Sequence, residues 1–440
     1  MCSFKKRIIF FFFLLLNFHI NMLGKIDLKE SVELAHEHRS DLEGFTYIIR
    51  ANWHEERAAL GGYLPQIAVL VESGKSSEPG PTGSGIAPLP RGSSRMEISQ
   101  LIFSYDGPLL QYKIAQEETD ISRAQKELLG NNIRINTENS FLRTKKILLK
   151  QKFINALYNS SQETFDQDKS RQIVGFLNKA EWDRAKFEYS QGQTEIKNYP
   201  NDIAEAISSL QRETNIQVKK ENISLEYKDL DKVRLEKIGN YQKRAMTNRP
   251  DLTELDHRIA QAEYSERYNR YQYIPEISFG FTMQKNRIYD CVPETVFEAL
   301  PQFDNKPLFW HLGLQLSWRF DGMSSFNISK KFDNLTTNFM LQKRDLELNI
   351  TKDIEILYQK LTNLLNLLEP AEKKYNAAKT QENNVKKQYS VGLAPLFRYK
   401  QAQFTFKQAE FDLMTLKIDI RNNYQRLLFL CGYPPESIYR

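Results

Sequence analysis

The chain has 440 residues, 41% of them hydrophobic and 26% charged, with a formal net charge of +6. A mean hydropathy of −0.55 excludes a polytopic helical membrane protein, because that class needs several apolar runs of about 20 residues. Three of the positive charges are Lys5, Lys6 and Arg7, and residues 1–24 hold no Asp or Glu. The remainder is so near neutral that charge gives no argument for a nucleic-acid partner.

In chain order, the first element is a secretory signal over residues 1–24. A basic start is followed by nine apolar residues, Ile8 to Leu16, too short to span a bilayer and fitted to a cleaved segment. The alternative is a retained N-terminal anchor. Beyond the signal only Cys291 and Cys431 remain, which reads as two free thiols rather than a disulfide framework. Residues 27–62 show helical spacing, and Pro65 marks the change to a strand over about 64–73, with Ile67, Val69 and Val71. Ser73 to Ser94 is rich in Gly, Pro and Ser and reads as a long loop. A second strand follows over about 95–104, marked by Ser99, Leu101 and Phe103, and ends at Asp106-Gly107. A long helical hairpin then occupies about 108–238, with a tip expected near 190–193.

The same series then recurs. Residues 41–71 lie over 251–281 without a gap, so that Tyr63, Pro65 and Ile67 fall on Tyr273, Pro275 and Ile277. Gln100-Leu101 and Asp106-Gly107 match Gln315-Leu316 and Asp321-Gly322, and Tyr189-Ser190-x-Gly192 matches Tyr389-Ser390-x-Gly392. The second strands run over about 274–284 and 311–320, and their helical hairpin over about 323–430 with a tip near 391–395. We therefore expect a first copy over 25–240 and a second over 241–435. The distance from Gly107 to Gly192 is 85 residues and from Gly322 to Gly392 is 70, so the first arm carries 15 extra residues, placed by their polarity in Ser160 to Arg171. Pro370 is the one strong breaker within 323–391, and beyond Gly392 the apolar positions Tyr399, Ala402, Phe406, Ala409, Leu413, Leu416, Ile420 and Leu427 keep coiled-coil spacing.

Ile277, Phe279, Phe281 and Met283, and likewise Leu312, Leu314, Leu316, Trp318 and Phe320, alternate with small or polar residues. Such strands fit either half of a soluble sandwich or the wall of a membrane barrel. Aromatics at strand ends (Phe103, Trp318, Phe320) and the export signal favour the barrel. Four strands cannot close one, and an open edge is not tolerated in lipid, so other copies must complete it. Three copies would supply twelve strands above a tube of twelve helices.

These residues resemble the TolC-like outer-membrane efflux channels over nearly all of 26–435. The likeness rests on Leu64-Pro65-Gln66, Tyr273-Ile274-Pro275, Phe320-Asp321-Gly322, Gln388-Tyr389-Ser390-Val391-Gly392-Leu393 with Gln401-Ala402-Gln403, and the ending Leu430-Cys431-Gly432-Tyr433-Pro434. The resemblance implies a mainly α fold with a small β part. It implies a homotrimer, a 12-stranded transmembrane barrel continuous with a periplasmic α-barrel, and contact with outer-membrane lipid. It also implies a periplasmic adaptor reached through the hairpin tips and, through the adaptor, an inner-membrane pump of an efflux or type I secretion system. Carried over, Val391, Gly392, Leu393 and Arg398 belong to the second tip and Tyr189 to Gln193, with Gly192, to the first. Asp106, Gly107, Asp321 and Gly322 are strand-to-helix junctions. Where the family often places an Asp six residues past the tip glycine, Arg398 and Asn198 stand here, which puts an acidic entrance in doubt. A periplasmic coiled-coil adaptor or scaffold is the alternative reading, although no flanking lipoyl-like domain is visible. The six histidines are scattered, no nucleophile elbow or phosphate loop occurs, and neither an enzyme nor a cofactor or metal is expected.

Overall fold

The computed structural model describes residues 26–76, 89–105, 107–176, 178–224, 233, 235–288 and 308–433. The signal segment, Asp106 and Cys291 lie outside these residues. The chain divides into two compact units. One comprises Thr46–Arg123 and Thr253–Arg344, and the other holds the rest.

The first copy runs α1 (Leu28–His38), α2 (Ser40–Leu60), β1 (Gln66–Ser76), β2 (Leu89–Phe103), α3 (Gly107–Ile173) and α4 (Lys179–Thr214). The second runs α5 (Ile238–Asn248), α6 (Pro250–Tyr271), β3 (Glu276–Ile288), β4 (Phe309–Ser317), α7 (Ser324–Asn366), α8 (Leu368–Ser390) and α9 (Leu396–Leu430). The helical stretch expected over 27–62 is broken at Arg39, whose backbone is extended. Arg39 Nη2 donates to Asp41 Oδ2 at 2.6 Å, while Asp41 Oδ1 accepts from the Leu42 amide at the start of α2. The second copy repeats the device with Arg249, Asp251 and Leu252, and there Pro250 also bars Arg249 from the helical region.

In the strand-bearing unit, β1–β4 form one antiparallel sheet in sequence order. Register brings the apolar sets into line. Ile67 faces Ile98 and Val69 faces Met96. Ile98 faces Phe281 and Met96 faces Met283. Phe281, Phe279 and Ile277 face Leu312, Leu314 and Leu316. The other face carries Glu97, Ser99, Thr282, Gly280, Gly313 and Gln315, and there Arg95 donates to Gln284 at 2.9 Å. The apolar face is uncovered: Val71 is 73% and Leu314 72% exposed. A soluble sheet buries its apolar face, and among the described residues nothing covers this one.

Two expectations for the first copy's strands are corrected. Strand β2 begins at Leu89, inside the segment read as loop. Its apolar face is Met96 and Ile98, with Ser99 and Leu101 on the opposite side. An irregularity between Leu101 and Phe103 adds one residue and returns Phe103 to the apolar face beside Ile277. A bulge of this kind switches the alternation, which is why period-two reading from Phe103 backwards selects the wrong face.

In the other unit each copy centres a buried cluster, and Ile418 of the second copy joins the first. Phe141, Leu142, Tyr199, Ile203 and Leu210 centre the first, and Tyr241, Ile350, Ile354, Leu361 and Leu427 the second. Ala402 and Ala409 of α9 are buried as the heptad requires, but so is Asn423, whose Nδ2 donates to the Asp419 carbonyl at 2.7 Å. The break between α7 and α8 falls at Leu367. Pro370 has no N–H for the Asn366 carbonyl, so the ladder is interrupted at that turn. Among the described residues no helix is long and apolar enough to cross a membrane.

Candidate functional site: hairpin tips and strand-to-helix junctions

The tip of the second hairpin is the turn Val391–Pro395 between α8 and α9. Gly392 has φ +76°. Its amide donates to the Tyr389 carbonyl, and the Leu393 amide donates to the Gln388 carbonyl at 2.8 Å. This is a Schellman ending, which places glycine in the left-handed region and an apolar residue after it. Val391 and Leu393 are 68% and 78% exposed, while Tyr389 stacks on Tyr399 across the turn with ring centroids 5.3 Å apart. Arg398 is exposed in the first turn of α9.

The first tip is not where the sequence comparison put it. Helix α4 runs unbroken through Tyr189–Gln193. Gly192 is buried within it, and a Cβ there would lie 3.5 Å from the Tyr158 ring. Tyr189 stacks on Phe165 of α3 at 4.5 Å and is packed between hairpin arms. The turn is instead at 174–178, where Gly175 has φ +80° and donates to the Gln172 carbonyl, and the Phe176 amide donates to the Arg171 carbonyl at 2.9 Å. Asn178 then caps α4 in a reciprocal box with Glu181. Val174-Gly175-Phe176 therefore corresponds to Val391-Gly392-Leu393, with Val174 and Phe176 again exposed.

This correspondence removes the 15 extra residues. From the junction glycine to the tip glycine the arms now differ by about two positions, and α4 and α9 have 36 and 35 residues. Ser160 to Arg171 is ordinary helix in α3 rather than an insertion. The residue six past the first tip glycine becomes Glu181 instead of Asn198. The two tips differ in charge. Around the second, the chain from Asn383 to Gln408 carries Lys386, Lys387, Arg398, Lys400 and Lys407 and no acid, with Lys400 paired to Glu163 of α3 and Lys407 to Glu410, whereas the first mixes Asp166, Asp168, Glu181 and Asp183 with Lys169, Arg171, Lys179 and Arg184.

At the second junction Gly322 has φ +65° and Asp321 Oδ2 accepts from the Ser325 amide at 2.8 Å at the start of α7. The hydrogen bonds from the Ser325 hydroxyl and amide hold the Asp321 carboxyl below its usual pKa. Trp318 Nε1 donates to the Tyr273 carbonyl at 3.1 Å, and Tyr273 Oη accepts from the Phe326 amide at 2.8 Å. At the first junction Gly107 opens α3 and its amide donates to the Ser104 carbonyl. Gln100 Nε2 donates to the Tyr63 carbonyl, the counterpart of the Trp318 bond.

The architecture that leads to the comparisons is a strand pair feeding a long helical hairpin, written twice, with an exposed apolar sheet face. Residues 242–433 match the family model for the outer membrane efflux protein. Over 92% of this chain the fold is similar to that of the CusC channel, with a TM-score of 0.74, 12% identity and 92% of that chain covered. The Campylobacter jejuni outer-membrane channel CmeC gives 0.76 at 13% identity, covering 92% of this chain and 85% of that one. The Vibrio cholerae outer-membrane protein VceC gives 0.72 at 13% identity, covering 92% and 97%. No curated protein matches the sequence. The TolC-like resemblance is thus carried by a family match over the second copy and by a common fold over the chain.

Proposed function

We propose that this chain is the outer-membrane exit duct of a tripartite efflux pump or type I secretion system. Three copies, each contributing its four strands and two helical hairpins, form a 12-stranded barrel continuous with a periplasmic α-barrel. The observation that carries this reading is the sheet. Among the described residues it has four strands, two open edges and one in-register apolar face with nothing over it, which in lipid requires closure by further copies. The periplasmic adaptor docks on the exposed apolar tips, Val174 and Phe176 in one copy and Val391 and Leu393 in the other, with Arg398 beside the second. Asp321 and Gly322, with Gly107, set the angle at which helix leaves strand. Asp106 is assigned to the same junction from its sequence match alone.

Purified full-length protein reconstituted in planar bilayers should conduct, and chemical crosslinking in detergent should stop at trimer. A monomer without conductance would overturn the reading. Carbonate washing separates the alternative of a periplasmic scaffold, which would be released. Val391→Asp with Leu393→Asp should abolish adaptor crosslinking while leaving the trimer intact. Unchanged crosslinking would remove the second tip from the docking surface.

A further inference from the structure

Helix α3 carries Glu117 and Asp120, one turn apart on one face, and α6 carries His257. His257 Nδ1 lies 2.6 Å from Glu117 Oε2, and one ligand atom from each of the three residues lies within 4.8 Å of the others. All three side chains are half-buried, between 17% and 30% exposed. The helices are fixed around them. Gln261, one turn beyond His257, donates to Glu118 Oε2 at 2.7 Å, and Asn52 of α2 donates to Ser122 Oγ at 2.8 Å. Arg258 is engaged with Glu254 on the turn before.

The internal repeat gives an independent measure of what the fold itself needs. At the matching positions of the other copy, Phe332 and Leu335 replace Glu117 and Asp120, and Tyr47 replaces His257. The scaffold is therefore built with apolar and aromatic residues at these places. One imidazole and two carboxylates have been gathered at only one of the two equivalent positions, from parts of the sequence 140 residues apart.

We propose that Glu117, Asp120 and His257 bind a borderline divalent cation, with zinc as its simplest occupant. One nitrogen and two oxygen donors suit zinc or its transition-metal neighbours, with water in the fourth position. Magnesium and calcium prefer all-oxygen shells. In a zinc tetrahedron the donor atoms stand about 3.3 Å apart, so His257 Nδ1 and Glu117 Oε2 part by about 0.7 Å from their 2.6 Å contact, and Asp120, within 4.8 Å of both, adjusts onto the ion. The ion replaces the proton on Nδ1 between His257 and Glu117, and that proton goes to Nε2 or to solvent. Asp120 releases Arg123, a side chain 59% exposed, and an exposed ion pair of that kind holds it only weakly. The bound ion ties the helix leaving the first strand pair to the helix entering the second.

The test uses full-length protein in detergent, stripped with a chelator and dialysed. Zinc is titrated in competition with a chromophoric chelator, and the thermal midpoint is followed by circular dichroism. One zinc per chain is expected, with a zinc-dependent rise in midpoint. His257→Gln and Asp120→Asn should each weaken binding at least about tenfold and abolish the rise, and His54→Gln should change neither. Gln at 257 can still hydrogen-bond Glu117, so the metal-free midpoint reports whether the variant is folded. Binding that survives in His257→Gln reveals an adventitious ion only and overturns the site. Tighter binding of calcium than of zinc overturns the assigned class.

Discussion

Gly432 follows Cys431 at the end of α9, with φ +65° and the same Schellman pattern as the tips. Unlike the tips it is enclosed. A Cβ at this position would stand 2.7 Å from the Asn248 carbonyl oxygen and 2.8 Å from its carbon. At Gly392, where φ is +76°, a Cβ would meet nothing within 4 Å. Alanine at either place bears left-handed strain of about 1–2 kcal/mol. Reduced freedom of the unfolded chain offsets this by about 0.4–1 kcal/mol. Only Gly432→Ala must also displace a neighbouring backbone at the Arg249–Asp251 clamp, an overpacking penalty of about 1–3 kcal/mol. The expected losses are therefore about 1 kcal/mol for Gly392→Ala and about 2–4 kcal/mol for Gly432→Ala. Urea unfolding of both variants, followed by far-ultraviolet circular dichroism in one detergent, gives the comparison. Equal losses, or a larger one at Gly392, would refute the argument that close approach of the Asn248 backbone is what demands glycine at 432.

Leu314→Arg on the apolar sheet face should lower stability in lipid vesicles by about 2–4 kcal/mol, measured by urea titration, whereas Gln315→Arg on the polar face should change it little. Cys431 is fully buried and its thiol is pushed up to about 12 by burial. Iodoacetamide at pH 8 should therefore leave the Cys431 peptide unmodified in native protein and alkylate it after denaturation, as mass spectrometry of that peptide would show. The Arg39 guanidinium holds the Asp41 carboxyl below its ordinary 3.8. A depressed carboxyl contributes stability above the unfolded value and loses it as pH falls through the folded one. Asp41→Asn should thus flatten the decline in unfolding midpoint below about pH 4, and an unchanged profile would dismiss the contribution of this pair.

Much of the fold was legible because its determinants are local. Alternation over Ile277–Met283 and Leu312–Leu316 marks two strands without reference to anything distant. The heptad spacing of α9 likewise announces a packed helix. What failed did so for identifiable reasons. Tyr189-Ser190-x-Gly192 looks like Tyr389-Ser390-x-Gly392, yet a glycine ends a helix only where the chain also supplies the cap. Val174-Gly175-Phe176 followed by Asn178-x-x-Glu181 supplies it. Offsets of 210 and 215 between copies lead on to 217 at this turn, whereas the 200 that separates Tyr189 from Tyr389 runs backwards. That reversal was the available signal. The bulge before Phe103 left no comparable trace, since one added residue looks like any other. The Glu117–Asp120–His257 cluster was invisible for a different reason: nothing local marks a carboxylate pair whose imidazole lies 140 residues away.

The opposite directions of the sheet's two edge strands restrict how copies can pair. Strands β1 and β4 are antiparallel because their number is even, so each chain ends on an edge of opposite direction from the one on which it begins. Two copies related by rotation about the membrane normal can therefore pair β4 with the next β1 and keep antiparallel alternation, whereas pairing like with like would set two strands parallel. In the proposed trimer this contact would be heterologous, with no twofold solution in the bilayer that uses one edge alone. A dominant-negative copy lacking a competent β1 would accept a neighbour on one side and refuse one on the other, stopping the ring one joint short of closure.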